Sequence, residues 1–187
     1  MNAQLKTIGE RIKFNRTPQQ TSIKISQRVK PWQEALIAAW VLLWLTCGFF
    51  YLSHFLLSES SEQKAVILGF LLVWSYLLFK AIQILLWRII GSEDVEISKG
   101  KLTYKKSYSG LGRAKVVNLE DISEFGLIGY TEKSFKKSME SYFWSMGAET
   151  IGFKTPRRYF LLGMQLQKKD AKLLSELMNA SIKKMKD

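Results

Sequence analysis

The chain has 187 residues and carries 28 Lys and Arg against 16 Asp and Glu, which gives a net charge of +12. It holds one cysteine, Cys47, and one histidine, His54. These counts exclude an internal disulfide and a zinc site built from several Cys and His ligands, and any nucleophile–histidine chemistry would have to use His54. We therefore expect no catalytic residue, no metal site and no cofactor, and a protein that is not an enzyme.

Residues 1–31 form a basic segment, with seven Lys and Arg against a single Glu. Leu5, Ile8 and Ile12 recur at helical spacing, which predicts a short amphipathic helix on a membrane surface over residues 2–14. A flexible basic tail would explain the same residues.

The rest of this segment is less regular. Residues 17–22, with the sequence TPQQTS, are typical of a loop. Ile23 and Ile25 alternate with polar residues, which indicates either a strand or the lead into the following apolar stretch.

Two apolar stretches follow and define a segment of residues 32–90. Residues 35–57 contain no formal charge and rise roughly 34 Å as a helix, which is enough to cross the hydrocarbon core of a bilayer. Residues 65–90 are also long enough to span, although charged residues occur in their second half. The short polar link at residues 58–64 predicts an antiparallel transmembrane hairpin.

The charges beside these stretches predict an orientation. Lys and Arg are frequent before residue 32 and after residue 90, whereas the link holds Glu59 and Glu62 with Lys64. By the positive-inside rule we expect both termini in the cytoplasm, and we expect a multi-pass protein of an inner (plasma) membrane. An anionic inner leaflet also accounts for the positive net charge, so we expect no nucleic acid partner.

The second apolar stretch carries a polar and aromatic stripe. Tyr76, Lys80, Gln83 and Trp87 are spaced by four, three and four residues and so share one helix face. A cation inside a span is costly and often functional, so Lys80 is a candidate contact for a partner carboxylate or a lipid phosphate. Alternatively, the span ends near residue 86 and Lys80 extends toward the cytoplasmic headgroups.

Residues 91–187 change from helical to alternating hydrophobicity, as in a sheet with one buried face. Val95 and Ile97, then Leu102 and Tyr104, flank a turn and predict a β-hairpin. Four further strands are predicted at residues 116–122, 125–130, 150–154 and 159–167.

The final segment predicts a helix, with Asp170 as its capping residue and several lysines near its end. Its apolar stripe consists of Leu173, Leu174, Leu177, Met178 and Ile182. A strand-rich unit closed by one helix predicts a small curved sheet or split barrel. The fold class is therefore a membrane protein of the α+β type.

Three stretches of this domain follow a known pattern: EDVEISKGKLTY, VVNLEDISEF and FKTPRRYFLLGMQLQKKDAKLLSELMNASI. With the apolar hairpin they make residues 32–184 resemble the bacterial pleckstrin-homology-like (PH-like) domains that follow a two-helix membrane hairpin. The resemblance implies a PH-like sheet that serves as a scaffold or binding platform, without a catalytic signature. The long insert at residues 131–149 departs from that pattern.

Two surfaces are candidates for binding. The insert places basic residues beside aromatic ones, which could enter the membrane interface, bind a partner, or simply pack on the sheet. Its candidate contacts are Lys133, Lys136, Lys137, Tyr142, Phe143 and Trp144. The second surface, here called the basic hairpin, could bind lipid headgroups or be a solvated face. It consists of Lys99, Lys101, Lys105, Lys106, Arg113 and Lys115.

Taken together, these features predict a noncatalytic accessory, scaffold or assembly subunit of a larger inner-membrane protein complex. The alternative is a module that binds anionic lipid or senses the membrane. The expected partners are accordingly an integral membrane protein complex and anionic lipid.

Overall fold

The computed structural model describes residues 6–28, 30–122, 125–127, 149–156 and 158–186. The chain forms two compact units. One unit, here called the sheet unit, joins Met1–Arg28 with Ile90–Asp187, and the other, here called the helical hairpin, is Val29–Ile89. The sheet unit is thus made of two segments, one of which precedes the hairpin in the sequence and one of which follows it.

Two long helices make up the hairpin, with α1 at Pro31–Leu57 and α2 at Ser61–Ile90. Each is long and apolar enough to cross a membrane, with a mean hydropathy of 2.1 in its most apolar window. Pro31 begins α1, where its missing N–H leaves no hydrogen bond unmade. The predicted pair of long apolar helices is confirmed, and the link between them is three residues, 58–60.

The N-terminal segment contains three strands: β1 at Lys6–Ile8, β2 at Ile12–Arg16 and β3 at Gln20–Ser26. The predicted amphipathic helix and the alternative flexible tail are therefore both wrong for the residues described from residue 6 onward. Alternation explains the difference, because Ile12, Ile23 and Ile25 are fully buried while Lys13, Ser22 and Lys24, beside them in the strands, are exposed. The strand interpretation of Ile23 and Ile25 is confirmed.

These strands continue into a six-stranded antiparallel sheet with the order β1-β2-β3-β4-β5-β6. Strand β4 is Gly91–Ser98, β5 is Lys101–Tyr108 and β6 is Ala114–Asn118. The predicted hairpin is confirmed as β4 and β5, joined by a turn in which Gly100 has a φ of 75°. Strand β3 pairs with β4, and Ser26 lies opposite Ser92. The chain therefore leaves the sheet for α1 and returns from α2 at the same end of two neighbouring strands.

A short 3-10 helix at Leu119–Asp121 precedes a second antiparallel sheet. Its order is β7-β8-β9, with β7 at Gly126–Leu127, β8 at Glu149–Lys154 and β9 at Tyr159–Met164. Two predicted strands are shorter than expected. The one predicted over residues 116–122 ends where the 3-10 helix begins, and the one predicted over residues 159–167 ends at a corner with positive φ at residues 163 and 165.

The C-terminal helix α3, Lys168–Lys186, closes one hydrophobic core that both sheets share. Asp170 lies in the first turn of α3 rather than at its cap, because the helix begins two residues earlier. Leu173 of the predicted stripe is 42% exposed. The residues that α3 contributes to the core are Ala171, Leu174, Met178, Ile182 and Met185. The α+β class with two apolar helices, antiparallel sheets and a C-terminal helix is thus confirmed.

Candidate functional site

The predicted stripe on α2 divides between exposed and buried positions. Tyr76 is 61% exposed and Lys80 is also exposed, whereas Gln83 is half-buried and Trp87 is 2% exposed. The Lys80 ammonium lies 5.8 Å from the centroid of the Tyr76 ring. Tyr76 precedes Lys80 by one helical turn, so the lysine extends along α2 toward its N-terminal end. Tyr76 and Lys80 are therefore the accessible part of the stripe.

The basic hairpin does not form one surface. Lys101 and Lys105 alternate with the core residues of β5, whereas Lys106 lies opposite Glu93 on the core side. Lys106 Nζ is 3.0 Å from Glu149 Oε1, and this salt bridge links β5 to β8. Lys99 lies in the turn between β4 and β5 and is exposed. Arg113 and Lys115, near the start of β6, are exposed as well. The structure thus divides the set between the two faces of the sheet.

The aromatic insert lies outside the described residues. This applies to all six of its candidate contacts: Lys133, Lys136, Lys137, Tyr142, Phe143 and Trp144. Their role remains the prediction made from the sequence.

A row of charged side chains crosses the outer face of the six-stranded sheet. Lys13 pairs with Lys24, Lys24 with Asp94, and Asp94 with Lys105, so these residues of β2 to β5 lie side by side. Asp94 accepts hydrogen bonds from the Ser107 hydroxyl at 2.9 Å and the Ser92 hydroxyl at 3.4 Å.

Lys13 and Lys24 are thus two exposed like charges on directly opposed positions, an arrangement that destabilises a sheet. We call Lys13, Lys24 and Lys105 the lysine row. Lys13 and Lys24 were not predicted as a pair, because the spacing of residues 2–14 predicts a helix or a tail. The alternation of Ile12 and Phe14 around Lys13 was the available signal.

The Glu93 carboxylate is fully buried and accepts four hydrogen bonds. Its Oε1 accepts hydrogen bonds from Gln27 Nε2 at 3.0 Å and from the Met164 N–H at 3.3 Å. Its Oε2 accepts from the Gly163 N–H at 2.8 Å and from the Tyr104 hydroxyl at 3.4 Å. A carboxylate offers about four acceptor directions, and these four donors occupy them.

Arg11 binds the same corner of the chain from the other side. Its Nη1 donates to the Gln165 carbonyl at 2.9 Å, and its Nη2 donates to the Met164 carbonyl at 3.0 Å. Its Nε donates to the Ser26 carbonyl at 2.8 Å, and Nη2 also donates to Gln27 Oε1 at 2.8 Å. Arg11 therefore ties the start of β2 to the end of β3 and to the corner after β9.

Arg11, Gln27 and Glu93 together form what we call the corner clamp. The acid accepts hydrogen bonds from the N–H groups of residues 163 and 164, and the base donates to the carbonyls of residues 164 and 165, while the Gln27 amide bridges the two. Gly163 has a φ of 74°, and a Cβ there would lie 2.8 Å from Leu166, so the corner requires glycine.

Electrostatics in the clamp follow from burial. Burial raises the pKa of Glu93 above its ordinary value, while the N–H groups of Gly163 and Met164 and the charge of Lys106 oppose that rise. Burial, assisted by the Glu93 charge, also raises the pKa of Tyr104, so its hydroxyl remains a hydrogen-bond donor.

Arg11 shows the complementary behaviour. Burial lowers the pKa of its guanidinium, and the nearby Glu93 and Asp170 charges oppose this. Glu93 and Arg11 therefore hold the two sheets together, and their hydrogen bonds are made to other groups of the sheet unit.

Glu93 was not a candidate in the sequence, although a signal was present. In the sequence EDVEIS, Glu93 is in phase with Val95 and Ile97, which face the core. Among the described residues no group of three or more His, Cys, Asp and Glu is positioned to hold a metal ion. No family model and no curated protein matches the sequence of this chain.

Proposed function

We propose that this chain is a noncatalytic accessory, scaffold or assembly subunit of a larger protein complex in a bacterial inner membrane. In this proposal α1 and α2 cross the bilayer, and both termini lie in the cytoplasm. The sheet unit is assigned to the PH-like class, because two antiparallel sheets and a C-terminal helix share one core. The basic flanks of the hairpin support the orientation.

The position of Lys80 is the observation that carries this proposal. The lysine lies ten residues before the end of α2, about 15 Å along the helix axis. Its ammonium extends over the Tyr76 ring, which is farther from the cytoplasmic end of α2 than Lys80 itself. Lys80 therefore extends away from the cytoplasmic headgroups. A lysine that only avoided the membrane interior would extend toward them.

The energies support a further contact for Lys80. A lysine at the centre of a spanning helix costs about 2.5–3.5 kcal/mol, and Lys80 lies about 7 Å from the centre of α2, so this figure is the upper bound of its cost. A cation–π contact at an exposed ring returns about 0.5–1 kcal/mol. A carboxylate or hydrogen-bond acceptor on a neighbouring helix of another subunit would supply the remainder. Exposed apolar side chains beside Lys80 on α2, such as Leu77 and Phe79, offer the surrounding packing surface.

Substitution of Lys80 tests the proposal. We expect the full chain, purified from its native membrane in mild detergent, to comigrate with an integral membrane partner at fixed stoichiometry. Lys80→Leu should abolish the comigration, whereas Lys80→Arg should retain it because it keeps the cation. Phe79→Leu, a neighbouring change without loss of charge, is the matched control. A wild-type chain that migrates alone, or a Lys80→Leu chain that keeps its partner, would contradict the proposal.

Binding of anionic lipid is the second candidate function, and the lysine row is the observation that favours it. Lys24 lies between Lys13 and Asp94, so Asp94 offsets part of the repulsion between the two lysines, and a bound anion would offset the rest. Lys13 and Lys24 both lie on the outer face with exposed side chains. Lys105 adds a further positive charge on β5, two strands away from Lys24.

The paired variant Lys13→Gln with Lys24→Gln tests this function. In a zwitterionic detergent we expect it to raise the free energy of unfolding by about 0.2–1 kcal/mol, because the repulsion is removed. Adding phosphatidylglycerol should stabilise the wild type by mass action and leave the variant unchanged.

The paired change Lys99→Gln with Lys101→Gln removes the same charge from the basic hairpin and serves as the control. Stabilisation by phosphatidylglycerol that survives in the lysine-row variant, and is lost in this control, would assign lipid binding to the hairpin instead.

A further inference from the structure

The turn that joins β5 to β6 is closed and rigid. The Tyr108 N–H donates to the Leu111 carbonyl at 2.8 Å, and the Leu111 N–H donates to the Tyr108 carbonyl at 2.9 Å. Ser109 and Gly110 both have positive φ, at 50° and 88°. A Cβ on Gly112 would lie 2.1 Å from the Lys106 carbonyl oxygen, so the chain packs closely where it leaves the turn.

This rigid turn presents a large apolar side chain to solvent. Leu111 is 80% exposed, and Tyr108 at the other end of the turn is 38% exposed. Because its side chain is so exposed, Leu111 contributes little to the hydrophobic core. Packing within the fold therefore does not explain its outward position. Arg113 follows two residues later and is also exposed. Apolar and basic side chains are thus adjacent, as in segments that enter a lipid interface.

Within the sheet unit, the turn is bonded to Ile90, the residue at which α2 ends and the sheet unit resumes. The Ser109 N–H donates to the carbonyl of Ile90, the last residue of α2, at 3.0 Å. Helix α2 has 30 residues and is about 45 Å long, close to the thickness of a bilayer with its headgroups. If α2 crosses the membrane, Ile90 lies at the level of the headgroups, and the turn lies within one hydrogen bond of that level.

We infer that the Tyr108–Arg113 turn enters the phospholipid interface and inserts Leu111 below the headgroups. The exposed leucine, the rigid turn and the bond to Ile90 carry this inference together. It rests on the proposed function insofar as α2 must cross the bilayer. Insertion would fix the sheet unit against the membrane at a second point besides its two connections to the hairpin.

A fluorescent label at residue 109 tests the inference in the full chain. The background is Cys47→Ser, which removes the one native thiol. Ser109→Cys is labelled with an environment-sensitive dye in nanodiscs of phosphatidylcholine and phosphatidylglycerol, with quenching measured by spin-labelled lipids and by aqueous iodide. Lys99→Cys, at the opposite end of the β4–β5 hairpin, is the reference for water, and Val73→Cys on α2 is the reference for lipid.

We expect the label at residue 109 to be quenched by the shallow spin-labelled lipids and to be protected from iodide, unlike the label at residue 99. Adding Leu111→Asp should remove that protection, because a charged side chain does not enter the interface. Val116→Asp changes another exposed apolar residue of the same sheet and should leave the protection intact.

The possible failures are distinguishable. A label at residue 109 that is as open to iodide as the one at residue 99, while the label at residue 73 is quenched by lipid, would overturn this inference alone. Protection that survives Leu111→Asp would also overturn it. A label at residue 73 that is open to iodide would overturn both the spanning hairpin and the inserted turn.

Discussion

Replacing Glu93 by alanine is expected to lower the free energy of unfolding of the sheet unit by about 3–5 kcal/mol, the usual cost of removing one partner from a buried, charged network. The loss would leave the N–H groups of Gly163 and Met164 without their acceptor in a site from which water is excluded. It would also remove the larger of the two opposing charges near the half-buried Arg11, leaving only that of Asp170. Urea unfolding in mild detergent, followed by pulse proteolysis, measures the change.

Glu96→Ala is the matched control for this prediction. Glu96 is on the same strand but is exposed on the outer face, so its removal should change stability by no more than about 0.5 kcal/mol. Glu93→Gln should lie between the two, because the amide keeps one acceptor oxygen but directs an NH₂ group at other donors. A Glu93→Ala variant that is as stable as Glu96→Ala would show that the corner clamp does not hold the sheets together.

A double-mutant cycle with Arg11→Met separates the clamp from simple burial. Arg11 and Glu93 do not bond directly, but both bond to Gln27 and to the corner at residues 163–165. Groups in one network show coupling energies of about 0.5–3 kcal/mol, whereas independent sites are additive. We therefore expect the double variant to lose less stability than the sum of the two single variants.

The clamp also shows where the sequence is informative and where it is not. Local patterns were sufficient for the β4–β5 hairpin, because alternating Val95, Ile97, Leu102 and Tyr104 flank a turn with Gly100 at positive φ. Such a hairpin needs only neighbouring residues to specify it. The same holds for the two apolar helices, whose length and hydropathy are properties of single segments.

The N-terminal strands depend on residues that are distant in sequence. Strand β3 pairs with β4 across the whole helical hairpin, with Ser26 opposite Ser92. Ile8 and Ile12 are four residues apart, which fits a helix, yet they face each other across the β1–β2 turn. Local periodicity could not distinguish these two structures, because the deciding contact is with strands that follow α2.

The functional residues show the same division. Lys80 could be singled out because a cation in an apolar stretch is unusual by itself. The lysine row and the corner clamp could not be predicted, because they depend on the strand register, which places residues of several strands next to one another. Leu111 was not predicted as a membrane contact, because a leucine in a turn has no distinctive local pattern. Its proposed role depends on the hydrogen bond between Ser109 and Ile90.

Within the helical hairpin, Gly48→Ala is expected to destabilise the packing of α1 on α2. Gly48 is buried, and a Cβ at this position would lie 2.0 Å from the Trp74 ring. The Trp74 ring stacks on Trp44, with centroids 6.4 Å apart. A rigid indole held in this way has little freedom to move aside, so the added methyl group overpacks the interface at a cost of about 1–3 kcal/mol.

Gly69→Ala on α2 is the matched control, because a Cβ there meets nothing within 4 Å. The intrinsic preference of a helix for alanine over glycine is about 1 kcal/mol. At Gly69 that gain is unopposed, so we expect increased stability. At Gly48 the overpacking outweighs the gain, and the two substitutions should therefore differ in sign although they are chemically identical.

Crosslinking across the hairpin measures this difference. The rings of Tyr51 and Phe70 are 4.4 Å apart between centroids, so cysteines at these two positions are within reach of a short bismaleimide in the Cys47→Ser background. The crosslinking yield should fall with Gly48→Ala and stay unchanged with Gly69→Ala. Equal yields in both variants would mean that Trp74 does not pack on Gly48 in the membrane. A fall would show that the glycine allows the close approach of the two helices.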